Sequence, residues 1–315
     1  MMVNDIYYEN SRGEKLDLLR YPYRIQTGDL FNYEWEYTTK STVRNTGRFE
    51  KFFRGISAKE VVLGVMGNTI EEYHKNVDAF YEAVDSDVLG MTPGKLWFGS
   101  YYLLCYILKS EKEEWESDIG VMDNTITVVS DYPFWCRDRA YHFYASAEEI
   151  MDAGRKEEID STLDNMKIIP DYPYDFGFDF ITRYRPAKRK VLYDYKYDYY
   201  RNHTVGKLDN DHFTGSDFRM IVYGPCTHPE IRIGGNVYCV STTLYDSEYM
   251  VIDSRGRTVT RYARNGVQEN LFNARDKENN VFEKIPPGKS AVKWNAQYPF
   301  DVILFQERSE PAWNT

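Results

Sequence analysis

FRMIVYGP (218–225), EIRIGGNVYCV (230–240), EYMVIDSRGRTVTRY (248–262), VFEKIPPGKSAVKW (281–294) and FDVILFQE (300–307) follow one another in the last third of the chain, and their reading decides the fold. Apolar residues alternate with polar ones in these segments, the period of a strand with one buried face. Turn residues separate them. Gly224-Pro225 ends the first strand. Gly234-Gly235 is a two-residue hairpin turn. Gly256, after Ser254-Arg255, turns a second hairpin, and Pro286-Pro287-Gly288 turns the next segment. Short alternating strands with turn signals every ~8–12 residues predict an antiparallel β-sandwich.

Upstream of this run the chain is aromatic. In VLYDYKYDYYRNH (191–203), Tyr193, Tyr195, Tyr197 and Tyr199 alternate with Asp and Lys, as in a strand with one aromatic face. Such a face can stack on sugars or bases. The plainer reading is a sandwich strand whose tyrosines cover the core or a neighbouring subunit. The basic cluster Arg183, Arg185, Lys188, Arg189 and Lys190 suits an acidic neighbour as well as a phosphate. Residues 146–167 are highly charged with weak apolar periodicity. Ser146 and Glu149 form a capping-box pattern, so this segment reads as a short helix or a connection between domains.

The N-terminal part predicts a second unit. Tyr33, Trp35 and Tyr37 alternate with Glu34 and Glu36, as in a half-buried strand. A helix near 70–86 follows from Ile70, Tyr73, His74, Val77, Phe80, Tyr81 and Val84, which share one face. Asn68 and Glu71 suit its N-terminal capping box. His74, on that face, reads as a core or interface histidine. Lys95–Leu108, with a turn at Gly99, and Thr125–Val129 are β-prone. The organisation read from the residues is therefore residues 1–145, a charged connection at 146–167, and residues 168–315, with mainly β structure and one or two helices.

Composition narrows the function. The chain has 315 residues and a formal charge of −10, which argues against general nucleic-acid binding. Its apolar runs are shorter than the ~20 residues that span a bilayer. MMVNDIYYEN lacks the basic start and apolar stretch of a signal peptide, so folding in the cytoplasm, without export by the general secretory route, is expected. Cys105, Cys136, Cys226 and Cys239 form no C-x-x-C pair and read as small core residues. Phosphate-binding loops, HExxH, GxSxG and GxGxxG are absent. His203 and His212, near Asp209 and Asp211, are the nearest approach to a metal-ligand group. No catalytic, cofactor-binding or metal-ligating residue is therefore expected.

YGPCTHPEIRIGGNVYCV (223–240), EYMVIDSRGRTVT (248–260), NLFNARDKENNVFEKIPPGKSAVKWN (270–295) and FDVILFQERSEPAW (300–313), in this order and spacing, resemble the C-terminal domain of the siphophage distal tail proteins. The N-terminal half is similar in outline, with strands, a helix and a strand-rich stretch ending at YPFW (132–135). The resemblance implies an α+β N-terminal ring domain and a galectin-like C-terminal β-sandwich. It implies a virion protein of the tail tip or baseplate, a hexameric hub. Its partners would be further copies of itself, the tail tube protein, a tail-associated or tail-tip protein and a receptor-binding protein. No cofactor and no membrane belong to this role. DNA would pass the channel without specific binding, and six copies would carry a formal charge of about −60. The alternative class is a glycan-binding β-sandwich attaching to host wall polysaccharide.

Overall fold

A computed structural model describes residues 5–41, 47–112, 121–145, 166–169 and 203–313. The chain is mainly β with antiparallel sheets, and the described residues hold one α-helix. They form two compact units. One comprises described residues of Met1–Asp138 and Glu307–Thr315, the other those of Arg139–Gln306.

The first unit contains β1 (Ile6–Glu9), β2 (Lys15–Asp17), β3 (Tyr23–Gly28), β4 (Glu36–Ser41), β5 (Gly47–Phe53), β6 (Ser57–Met66), α1 (Ile70–Leu89), β7 (Gly94–Phe98), β8 (Tyr101–Lys112), β9 (Val121–Ser130) and the start of β10 (Trp135–Phe143). The strand β8 serves three ladders, one of them with the start of β10 at Leu103↔Trp135 and Tyr102↔Cys136. Its first half pairs with β7, from Phe98↔Tyr101 to Gly94↔Cys105. Its second half pairs with β9, which also pairs with β6. A register shift between Ile107 and Lys109 lets Leu108 turn outward. In β9 the alternation places Met122, Ile126 and Val128 in the core and Asp123 outside. The core gathers Tyr8, Leu63, Val65, Phe80, Leu96, Leu103 and Trp135.

Helix α1 buries Tyr73, Phe80, Ala83 and Val84. Its N-cap is Thr69, one residue later than the sequence suggested. The Thr69 hydroxyl accepts from the Glu72 N–H at 3.1 Å, and the Glu72 carboxylate accepts from the Asn68 N–H at 3.0 Å. The helical frame puts His74 on the exposed side. Its place on the apolar face was an artefact of the wide stripe, since Tyr73 next to it takes the core position.

The second unit contains the end of β10, β11 (Met166–Ile169), β12 (His203–Asn210), β13 (Asp217–Tyr223), β14 (Cys226–Thr227), β15 (Glu230–Ile233), β16 (Asn236–Cys239), β17 (Thr243–Leu244), β18 (Tyr249–Asp253), β19 (Thr258–Tyr262), β20 (Gln268–Asn270), β21 (Gly288–Trp294) and β22 (Phe300–Arg308). One sheet runs β22–β13–β18–β19–β20, the other β11–β12–β21–β15–β16. Their inner faces share one core. Phe218, Met220, Val222, Ile252, Val302 and Leu304 come from the first sheet, and Leu208, Ile231, Ile233, Tyr238, Val292 and Trp294 from the second. At ~25 cal/mol per Å2 of buried apolar area, this interdigitated layer is the main source of the unit's stability.

The turns follow from backbone chemistry. Gly234 (φ 58°) and Gly235 (φ 99°) are both left-handed and join Ile233 to its partner Asn236, a turn matched to strand twist. Gly256 lies between β18 and β19, where its N–H donates to the Asp253 carboxylate, but the left-handed residue there is Arg257 (φ 50°). Gly224 precedes Pro225, and a Cβ on Gly224 would stand 2.2 Å from the Tyr245 carbonyl. Pro287 leads into Gly288 (φ 85°), the first residue of β21.

Candidate interaction surfaces

Among the described residues no three His, Cys, Asp or Glu side chains converge as metal ligands. His212 lies against Phe213 and Thr214. None of the four cysteines is in a disulfide. Burial pushes the Cys105 thiol up to about 12 and Cys226 to about 11, so both stay protonated and unreactive at neutral pH. A depression of the first unit, at Leu30, Arg54, Ser130 and Trp135, has a volume of about 10 Å3, room for one water. A polar cluster stands on the second unit. Asp301 accepts from the Tyr223 hydroxyl at 2.8 Å and holds His142 Nδ1 at 2.8 Å. Burial, then Asp301, raises the Tyr223 hydroxyl above its ordinary value. It therefore stays a neutral donor.

What the molecule offers instead is surface. The hairpin β4–β5 is a two-stranded sheet of its own. Thr38 faces Lys51 and Thr39 faces Phe49, so Glu50 is an extra residue in β5. A one-residue bulge changes which side chains share a face. Tyr37 and its partner Phe52 share one, and the bulge brings Phe49 to the same side. The Tyr37 and Phe49 rings meet edge-to-face at 5.1 Å, and Phe49 and Phe52 stand 5.2 Å apart. These rings are 59%, 58% and 56% exposed. The other face carries Lys40 directly opposite Arg48, with Lys51 opposite Thr38.

This corrects the reading of Tyr33, Trp35 and Tyr37 as a half-buried strand. Only Tyr37 lies in β4, and all three side chains are exposed. Trp35 leans on Phe134 at 5.8 Å, and the Arg54 guanidinium lies over Tyr33 and Phe134. The alternation was real, but among the described residues no layer covers it. Phe49 and Phe52 were missed because the bulge breaks the period in GRFEKFF (47–53). The run of aromatics itself was the available signal.

A second stripe crosses the outer face of the sandwich. Tyr223 pairs with Tyr249, which pairs with Tyr262, on three adjacent strands. Tyr249 and Tyr262 stack at 4.7 Å with their planes 7° apart. Their ring faces are turned to each other, whereas a sugar or base needs a free face to lie on. The stripe is a packing ladder. Tyr193, Tyr195, Tyr197 and Tyr199, the tyrosines singled out in the sequence, lie outside the described residues.

The two units, the one helix and the sandwich define a class of fold, and solved structures share it over nearly the whole chain. The phage P2 baseplate in its activated conformation with calcium contains a chain similar to this one at a TM-score of 0.58 and 13% identity, covering 98% of this chain and 100% of that one. The same baseplate with strontium gives a TM-score of 0.58 at 14% identity. The SPP1 Dit (gp 19.1) protein, described as a paradigm of the hub adsorption apparatus in phages infecting Gram-positive bacteria, matches at a TM-score of 0.50 and 10% identity, covering 97% and 99%. The fold is thus one that phage baseplate and distal-tail hub proteins have. No family model and no curated protein matches the sequence.

Proposed function

We propose that this protein is a structural hub of a phage or prophage tail, a ring of six copies that joins the tail tube to the tail-tip, baseplate and receptor-binding proteins. The observation that carries the reading is the end-to-end match. The fold of the SPP1 hub protein is similar to this one across 97% of this chain and 99% of that protein. The surfaces agree with an assembly role, because an exposed aromatic face is a feature of proteins that bury it against others. Residues 1–145 would form the ring, 146–167 the connection and 168–315 the galectin-like outer sandwich. A formal charge of −10 per copy suits a channel that passes DNA without holding it.

The test is mass measurement of the purified protein followed by negative-stain imaging, alone and with the cognate tube protein. Six-fold rings that cap the tube are expected. A persistent monomer that ignores the tube and binds wall polysaccharide saturably overturns the hub and makes the protein a lectin.

A further inference from the structure

One charge of the first unit stands unanswered. Arg54 follows β5, and its guanidinium lies over the Tyr33 ring at 5.6 Å and the Phe134 ring at 5.1 Å. Ring faces attract a cation but do not neutralise it. Arg54 Nη1 is buried and has no hydrogen-bond partner among the described residues. Burial lowers the guanidinium from its ordinary value, yet it stays a cation at neutral pH. A buried charge without a partner is costly.

Arg54 lines the same depression as Ser130, the last residue of β9. Ser130 is 1% exposed, and its Oγ is a second buried polar atom without a hydrogen-bond partner among the described residues. Across the β6–β9 ladder Ser130 faces Ser57, and Val128 faces Lys59. Side chains alternate along a strand, so Ser57 and Lys59 continue the face on which Val61 is buried. The polar lining is Asn32, Arg54, Ser57, Lys59, Ser130 and Ser309, two cations and no carboxylate. The chain as a whole has 49 acidic and 39 basic side chains, so this lining runs against its average. Neither Arg54 nor Lys59 has an ion-pair partner among the described residues. Leu103, Val128 and Trp135 supply apolar wall, which strengthens the attraction between an ion and the cations beside it.

We propose that this depression binds one small monovalent anion, of the halide class, held by the Arg54 guanidinium and the Ser130 hydroxyl with Lys59 beside them. Size limits the ligand. About 10 Å3 takes a single water-sized group, so a phosphate, a nucleotide or a sugar is too large. Charge selects an anion over water. A water leaves both cations unanswered, whereas an anion accepts a charge-assisted hydrogen bond from Arg54 and another from Ser130. Bound there, it ties the start of β6 to the end of β9 and to Ser309. Every lining residue belongs to the first unit, so one copy of the chain holds the site whether or not rings form.

The experiment is thermal melting of the full chain in sodium chloride, sodium bromide and sodium methanesulfonate, whose anion is bulky and monovalent, at equal ionic strength so that general screening cancels. The melting temperature should rise saturably with either halide and stay flat with methanesulfonate. Arg54→Met keeps the stem over the rings and removes the charge, so its halide response should vanish and the gap to the natural chain should widen as halide is added. Ser130→Ala removes one hydroxyl and should weaken halide binding about tenfold. It decides the matter if Arg54→Met fails to fold. Line broadening of the chlorine NMR signal reads binding directly and should follow the same pattern. A natural chain that melts alike in all three salts overturns the site, as does a halide response undiminished in the variants.

Discussion

The Tyr8 hydroxyl donates a 2.5 Å hydrogen bond to Asp87 Oδ2, and both side chains are fully buried. The other Asp87 oxygen accepts from the Ser11 N–H at 2.8 Å. This carboxyl ties the last turn of α1 to β1 and the turn after it. Gly94 makes the approach possible, because a Cβ there would stand 2.3 Å from the Tyr8 oxygen and 2.6 Å from Asp87 Oδ2.

Two outcomes follow for that contact. Tyr8→Phe leaves a buried carboxyl oxygen without its donor and should cost about 2–3 kcal/mol in chemical denaturation. Gly94→Ala should be at least as damaging, since neither neighbour has room to move. Burial foremost raises the Tyr8 hydroxyl, so this tyrosine stays protonated in the folded chain when an unfolded one, near pH 10, would ionise. Its contribution is complete below pH 10 and is lost as pH rises further. Tyr8→Phe should therefore flatten the alkaline limb of the stability curve. An unaltered alkaline limb would remove Tyr8 from the explanation.

The end of α1 offers a gain. Met91 follows the helix with φ 50°, a left-handed conformation that costs a side-chain-bearing residue about 1–2 kcal/mol. Its side chain is 83% exposed and contributes little packing. Gly90, the C-cap before it, is right-handed at φ −78°. Met91→Gly should stabilise the protein by about 0.5–1 kcal/mol after the extra entropy of glycine in the unfolded chain is subtracted. Thermal melting reads the result, and a lower melting temperature would show that the side chain matters more than the backbone.

Much of the fold was legible, for a physical reason. In the sandwich, hydrophobic burial, strand period and turn chemistry agree, so Gly234-Gly235 could be assigned a hairpin and Phe218, Met220 and Val222 a shared face before any coordinates. The helix was legible to within one residue at its cap because its apolar stripe is long. The exposed aromatic face of β4–β5 was not. Tyr33, Trp35 and Tyr37 carry the pattern of a buried strand, and sequence cannot say whether the layer that buries them belongs to the same chain. The bulge at Glu50 hid the matching face in β5.

One buried side chain has no reason to be polar. Asn124 in β9 is fully buried beside the inward-facing Met122 and Ile126, and neither its amide nitrogen nor its oxygen has a hydrogen-bond partner among the described residues. An unpaired buried amide costs about 1–3 kcal/mol. Asn124→Leu keeps a similar volume and should return about 1–2 kcal/mol of that, seen as a rise in the denaturation midpoint without a change in slope. A loss of stability would show that the site does not accept the branched side chain and that the unpaired amide is not the dominant cost.

The acid limb of stability should depend on Glu248. Its carboxylate is nearly buried and accepts from the Tyr245 N–H at 2.9 Å and from Arg261 Nη2 at 2.7 Å. The Tyr245 N–H foremost, and Arg261 with it, hold the group below the usual carboxylate range. A depressed folded value means that stability is fully present above the ordinary Glu value of about 4.3 and is lost as pH falls through the folded one. Both contacts pin the turn from β17 into β18 and the strand β19, so protonation loosens that edge of the sandwich. Glu248→Gln cannot pair with Arg261 as a charge. It should melt lower than the natural chain at pH 7, with the difference narrowing towards pH 3. A difference that is constant across that range would show that Glu248 acts through shape alone.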